Sequence, residues 1–299
     1  MSQLAARAPV PERRAEPASR SLWQTTLRRL LRKPAVVLSV LYIFGLVLMA
    51  IFADRLAPYG YEVQNLRASR LNPGAPGHLF GTDELGRDIL SRVIYGTRIS
   101  MSVAFGMAGI QVSVGVILGV LAGYFGGWFD LIMMRVTDIA FAFPDLLLAI
   151  LIMGIRGPGI SNIFLALGVV AWPGTCRLVR GQVLAVKELE YVQAARAVGQ
   201  NDFRIMLRHL LPNVISPVII SATLGIAGWV IAEATLSFLG IGVRPPYPSW
   251  GNMIANLRNL IFGQPGLLVA PSAVLALTVM AFNFLGDGLR DALDPWLKQ

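Results

Sequence analysis

LEYVQAARAVGQNDFRIMLRHLLPN, residues 189–213, lies between two long apolar runs and reads as two short amphipathic helices hinged at a glycine. Tyr191, Ala194, Ala195 and Val198 follow i, i+3, i+4, i+7 spacing and share one helix face. Gly199 stops that helix, because it enters the left-handed region without a Cβ clash. Asn201 or Asp202 caps the second helix, and Pro212 closes it. There Phe203, Met206, Leu207 and Leu210 repeat the apolar spacing, while Arg204 and Arg208 sit a turn apart on another face. Two uses fit such a hairpin. It lies on lipid headgroups, as basic amphipathic segments do, or it is presented to a protein partner.

The flanking runs decide the class. Apolar residues make up 55% of the chain and charged ones 14%, with the charges grouped between apolar blocks. A bilayer core of about 30 Å is crossed by about 20 helical residues. Six stretches qualify, at about 35–53, 99–123, 133–155, 160–178, 214–240 and 266–286. The expectation is an all-α membrane protein with six transmembrane helices. One cysteine, Cys176, excludes an intrachain disulfide. The net charge of +9 follows from basic residues held on the cytoplasmic side and calls for no nucleic acid.

Residues 1–33 read as a polar, basic tail, expected to be mobile over 1–20 and to lack a cleavable signal peptide. Arg28, Arg29, Arg32 and Lys33 precede the first span, 34–53, and favour a cytoplasmic N-terminus. Six spans then place the C-terminal tail, 291–299, and the loop 187–213 on the same side. Arg177, Arg180, Lys187, Arg196, Arg204 and Arg208 agree. Residues 54–98 and 241–265 fall outside. In the first of these, Gly81, Thr82, Asp83 and Gly86 are turn chemistry, and Ile89, Leu90, Val93 and Ile94 form an apolar stripe, an interfacial helix leading into span two. Pro245, Pro246 and Pro248 exclude a helix at those positions and make the second of these loops a rigid cap. Gly286 and Gly288 end span six before a short charged helix that stops ahead of Pro295.

Gly115, Gly119 and Gly123 recur every four residues on span two, a pattern that allows close helix approach in lipid. The neighbour is either another helix of this chain or a second subunit. Asp138, Asp145 and Glu233 fall within spans, where each carboxylate needs a polar partner or water. Asp138 pairs structurally; Asp145, beside Pro144, and Glu233, a turn after Trp229, are candidates for a polar passage. No phosphate-binding GxxxxGK[ST] loop, metal-spaced Cys/His set, nucleophile elbow or HExxH helix is present. Neither cofactor nor metal is called for, and the chain is not expected to be an enzyme.

Several strings carry a resemblance. Ala194, Ala195, Gly199, Leu211 and Pro212 have the spacing of the EAA loop of ABC-importer permeases, with Gln193 in place of Glu and His209 in place of Ile. FGTDELGRD at 80–88, LGIGVRPPYPSWGNMI at 239–254 and FNFLGDGLRDALDPWLKQ at 282–299 are similar to the dipeptide, oligopeptide and nickel importer subfamily. The likeness runs from about residue 78 to 297. It implies a type I importer permease core of five helices over 99–290 with one extra N-terminal helix. It also implies pairing with a second homologous permease, two cytoplasmic ATP-binding subunits and an external solute-binding protein. ATP hydrolysis then lies on a separate subunit. Gln193, Ala194, Ala195, Gly199, Asp202, Phe203, Met206, Leu210, Leu211 and Pro212 are the expected coupling residues. Short peptides are the expected solutes, with nickel chelates and glutathione behind them. The rivals are a stand-alone secondary transporter or channel, which calls for matched broken helices, and a membrane scaffold, which leaves the intramembrane acids without a role.

Overall fold

The computed structural model describes residues 30–293. The mobile tail expected over 1–20, Arg28, Arg29 and the stop before Pro295 lie outside them. Nine helices of eight residues or more are present among the described residues, with two isolated bridges and no strand. They are α1 (Pro34–Ile51), α2 (Ile89–Phe125), α3 (Gly127–Ala142), α4 (Asp145–Arg156), α5 (Ile160–Val186), α6 (Glu190–Ala197), α7 (Asp202–Phe238), α8 (Trp250–Leu257) and α9 (Gly266–Leu293).

Five of these, α1, α2, α5, α7 and α9, are long and apolar enough to cross a membrane alone. The stretch expected as a third span is not one helix. It is the pair α3 and α4, bent by 83° at Phe143–Pro144. Proline disfavours the helical region for the residue before it, and Phe143 accordingly is extended (φ −104°, ψ 135°). Together α3 and α4 still connect the two ends of the bundle. Asp130 of α3 pairs with Arg180 near the end of α5, while Asn162 near the start of α5 donates to the Arg156 carbonyl of α4.

Three further expectations change. The apolar stripe from Ile89 is not a separate interfacial helix, because α2 runs unbroken over 37 residues and no boundary falls at 98. Asp88 caps it, accepting from the Ser91 backbone at 2.7 Å. The last span does not end at Gly286 and Gly288, since α9 continues to Leu293. Pro212 does not close the second loop helix. A wide π-helical turn over Met206–Leu210, with Leu211 N–H donating to the Met206 carbonyl, comes just ahead of it, and the helix continues as α7. A regular turn would press the proline ring on the carbonyl four residues back.

The glycine stripe packs within the chain. A Cβ on Gly115 would stand 2.6 Å from Thr175 Cβ, one on Gly119 2.6 Å from the Cys176 carbonyl oxygen, and one on Gly123 2.8 Å from Val183 Cβ. All three neighbours are on α5. The missing side chains let α2 and α5 lie backbone to backbone, gaining dispersion contacts where burial from water gives no drive.

The loops sort to opposite ends. At one end residues 57–88 meet residues 239–265: Gln264 donates to the Arg70 carbonyl at 2.9 Å, and the Trp250 N–H reaches Ser100 of α2. At the other lie the 187–213 loop and the described chain ends, where Lys33 and Asp291 pair at 2.5 Å. Leu38, Leu41 and Phe44 of α1 and Leu147, Leu151 and Ile155 of α4 are exposed. Such apolar surface is ordinary in lipid and costly in water.

Candidate functional site: the 187–213 loop and the polar groups of the spans

Gly199 adopts φ +75° with nothing within 4 Å of a Cβ placed on it, so its requirement is conformational alone. Its N–H and that of Gln200 close α6 on the Arg196 and Ala195 carbonyls. Asn201 is the cap of α7: its side chain accepts from the Phe203 backbone at 2.9 Å. Asp202 takes a different role, accepting from the Tyr124 hydroxyl at 2.5 Å. His209 meets the Gln200 side-chain oxygen at 2.9 Å, bracing the turn from the far side.

The buried face of this hairpin agrees with the spacing only in part: Met206 and Leu210 are buried, but so are Val192 and Ile205, while Tyr191, Val198, Phe203 and Leu207 are exposed. Val192, Ile205, Met206 and Leu210 form a closed cluster with Val120 of α2 and Val179 and Val183 of α5. Burial of such side chains contributes about 1.5–3 kcal/mol each, and it seats the hairpin on its own bundle. Met206 and Leu210, expected as coupling residues, are therefore packed inside the chain. Leu211 and Pro212 continue α7. Facing outward are Tyr191, Gln193, Ala194, Val198 (83% exposed), Phe203 (66%) and Leu207 (49%), beside the exposed Arg196, Arg204 and Arg208; Ala195 is half-buried. The result is a hairpin packed on its own bundle with an apolar, arginine-flanked outer surface.

Each acid of the spans has a different setting. Asp138 is paired as expected, accepting from Arg177 at 2.6 Å with Arg135 at 3.7 Å, and the Arg177 guanidinium lies 4.6 Å from the Phe141 ring centroid. Asp145 opens α4 at the bend and is exposed, with no cation within 4 Å among the described residues. Glu233, expected to face a passage, is enclosed by its own chain. It is fully buried, accepting from Ser100 of α2 at 3.0 Å and Ser237 at 2.7 Å. Ser100 in turn accepts from the Trp250 backbone and Ser237 from that of Val243. The carboxylate thus anchors the 239–257 segment to α2 and α7.

Sequence reasoning missed two polar clusters. Gln111 bridges three helices: its amide donates to Thr175 of α5 at 3.0 Å and accepts from the Trp229 indole of α7 at 2.8 Å. A lone glutamine in an apolar helix was the available signal. Beyond the start of α2, Asp83 accepts from Arg87 at 2.7 Å and Asp88 meets His78 at 2.9 Å. This explains why GTDELGRD is a fixed turn.

Residues 115–299 match the family described as binding-protein-dependent transport system inner membrane component, and residues 21–73 match the N-terminal TM domain of oligopeptide transport permease C. The chain is similar to the glutathione transport system permease protein GsiD of Pectobacterium atrosepticum, at 43% identity over 93% of each chain. GsiD of Escherichia coli O6:K15:H31 is 42% identical over 93% of this chain and 92% of its own. Among solved structures, the MetNI methionine ABC transporter in inward-facing conformations shares the fold. Its TM-score is 0.54 at 18% identity, covering 69% of this chain and 98% of that one. Importers of this kind act with ATPase and solute-binding partners and sit in the inner membrane as multi-pass proteins. The chain belongs to the binding-protein-dependent inner-membrane component family and is a transmembrane permease subunit of an ABC importer.

Proposed function

We propose that this permease carries short peptides, glutathione-like ones included, and that the 187–213 hairpin couples it to a separate ATPase. One observation carries the coupling reading: a hairpin seated firmly on its own bundle keeps an apolar outer face at Val198, Phe203 and Leu207. Gly199 sets the angle between its helices, and Gln193, Ala194 and Ala195 line the approach. The hairpin end is cytoplasmic, supported by its crowd of arginines, and both termini lie with it. The assembly contains a second homologous permease, two ATP-binding subunits and an external solute-binding protein that meets the 57–88 and 239–265 end. Asp145, exposed at the bend of α3 and α4, belongs to the translocation path. The peptide assignment draws on the relatives' names and on the likeness of the N-terminal segment to oligopeptide permeases.

The test replaces Phe203 and Leu207 together with glutamate, in cells that hold the partner subunits. Membrane insertion stays normal, because the spans are untouched. The ATPase no longer co-purifies, and uptake of labelled glutathione or dipeptide falls to background. Full retention of the ATPase by this variant removes the outer face from the coupling role.

A further inference from the structure

We propose that Tyr124 is a positioning residue for coupling: its phenol locks the first turn of α7 to the end of α2, so that movement imposed on the hairpin reaches the opposite end of the molecule. The inference rests on the coupling reading above and adds the route by which the movement is passed on.

The geometry is specific. Tyr124, largely buried, is the penultimate residue of α2. Its hydroxyl donates to Asp202, the first residue of α7, at 2.5 Å. The Arg196 guanidinium of α6 stands 5.3 Å from its ring centroid, and the Phe125 ring meets it edge-on at 5.2 Å. One side chain therefore touches both helices of the hairpin and belongs to a third. The remaining contacts between hairpin and bundle are mostly apolar: Val120, Val183, Val192, Ile205 and Met206. Apolar contacts are non-directional and tolerate rotation of one surface over another. A hydrogen bond to a carboxylate is directional and about twice as strong as a neutral one. It fixes the angle of α7 against α2.

α2 is suited to carry the movement onward. It is unbroken from Ile89 to Phe125, and its glycine stripe holds it against α5. At its far end the Asp88 cap is itself bonded to His78 and Ser91. A rotation at Tyr124 is thereby delivered to the 78–98 segment.

Hydrogen exchange on the assembled importer, with and without a non-hydrolysable ATP analogue, reads both ends at once. In the wild type the bound ATPase protects residues 189–210, and nucleotide changes exchange in residues 78–98. Tyr124→Phe keeps the ring and removes the hydroxyl. It should leave the loop protection and the nucleotide-free exchange at 78–98 as they are, and reduce the nucleotide-induced change there by about fivefold or more. Asp202→Ala should reduce it similarly, and the double variant should be no lower than Asp202→Ala alone. A full far-end response in Tyr124→Phe overturns the inference, and so do losses that add in the double variant. Absence of loop protection in the wild type is a separate result: it sinks the coupling reading, and this inference falls with it.

Discussion

Gly119→Ala tests the packing that sets the permease core. The added Cβ would stand 2.6 Å from the Cys176 carbonyl oxygen and 2.8 Å from Val179 Cβ. The first of these is backbone and cannot rotate away. Contacts to a Cβ are ordinary from about 3.4 Å, so α2 and α5 must part by several tenths of an ångström at this level. Gly115 and Gly123 lie on the same stripe, so the separation loosens their contacts as well. A radial gap of about 0.5–1 Å forfeits a quarter to a half of each dispersion well, and overpacked sites cost about 1–3 kcal/mol. Alanine recovers up to about 1 kcal/mol in helix propensity. Against a mid-range cost of about 2 kcal/mol, the expected net loss is about 1 kcal/mol or more. Gly109→Ala is the control on the same helix: nothing lies within 4 Å of its Cβ, so only the propensity gain applies. The assay is thermal unfolding of the purified single chain in detergent. Gly119→Ala should melt several degrees below the wild type and Gly109→Ala at or above it. If Gly119→Ala melts like wild type alone and weakens only the assembled importer, the stripe faces a partner and the reasoning is refuted.

Other substitutions probe separate parts of the account. Gln111→Leu leaves the Thr175 hydroxyl and the Trp229 indole N–H without their partners; a loss of about 1–3 kcal/mol in the same melting assay is expected. Glu233→Ala should lower the yield of folded chain and raise proteolysis within 239–257, because the serine relay to Trp250 and Val243 loses its centre; Glu233→Gln, which keeps one acceptor oxygen, should be milder. Gly199→Val should lose coupling at a cost of about 1 kcal/mol or more in backbone strain, whereas Gly199→Asn, which visits the left-handed region, should retain most of it. In a Cys176→Ser background, cysteine at the fully exposed Phe262 should react with an impermeant thiol reagent in intact cells, and cysteine at Val198 should not.

Some of this architecture is legible in single residues. Gly199 was readable because a left-handed turn between two amphipathic stretches admits few residues, and its φ follows. The long spans were readable because lipid forces length and apolarity on them. Facing directions were not. In 189–213 apolar residues occupy more than one helical face, and periodicity cannot choose between Val198 and Val192. The choice is made by Val120, Val179 and Val183, which lie on other helices. Glu233 shows the same limit, since its role is set by Ser100, 133 positions away. Pro144 marked a local weakness, yet an apolar stretch of span length concealed a bend of 83°. The two uses open to the glycine stripe were separated only by the α5 backbone lying against it.

Coupling through the hairpin is the central claim, and site-specific photo-cross-linking tests it most directly. A photoreactive amino acid is placed at Phe203 in one sample and at Phe262 in another, with the partner subunits present. The account predicts a covalent adduct with the ATPase from position 203 and none from position 262. An ATPase adduct from 262, or its absence from 203 while the ATPase remains bound, would contradict it.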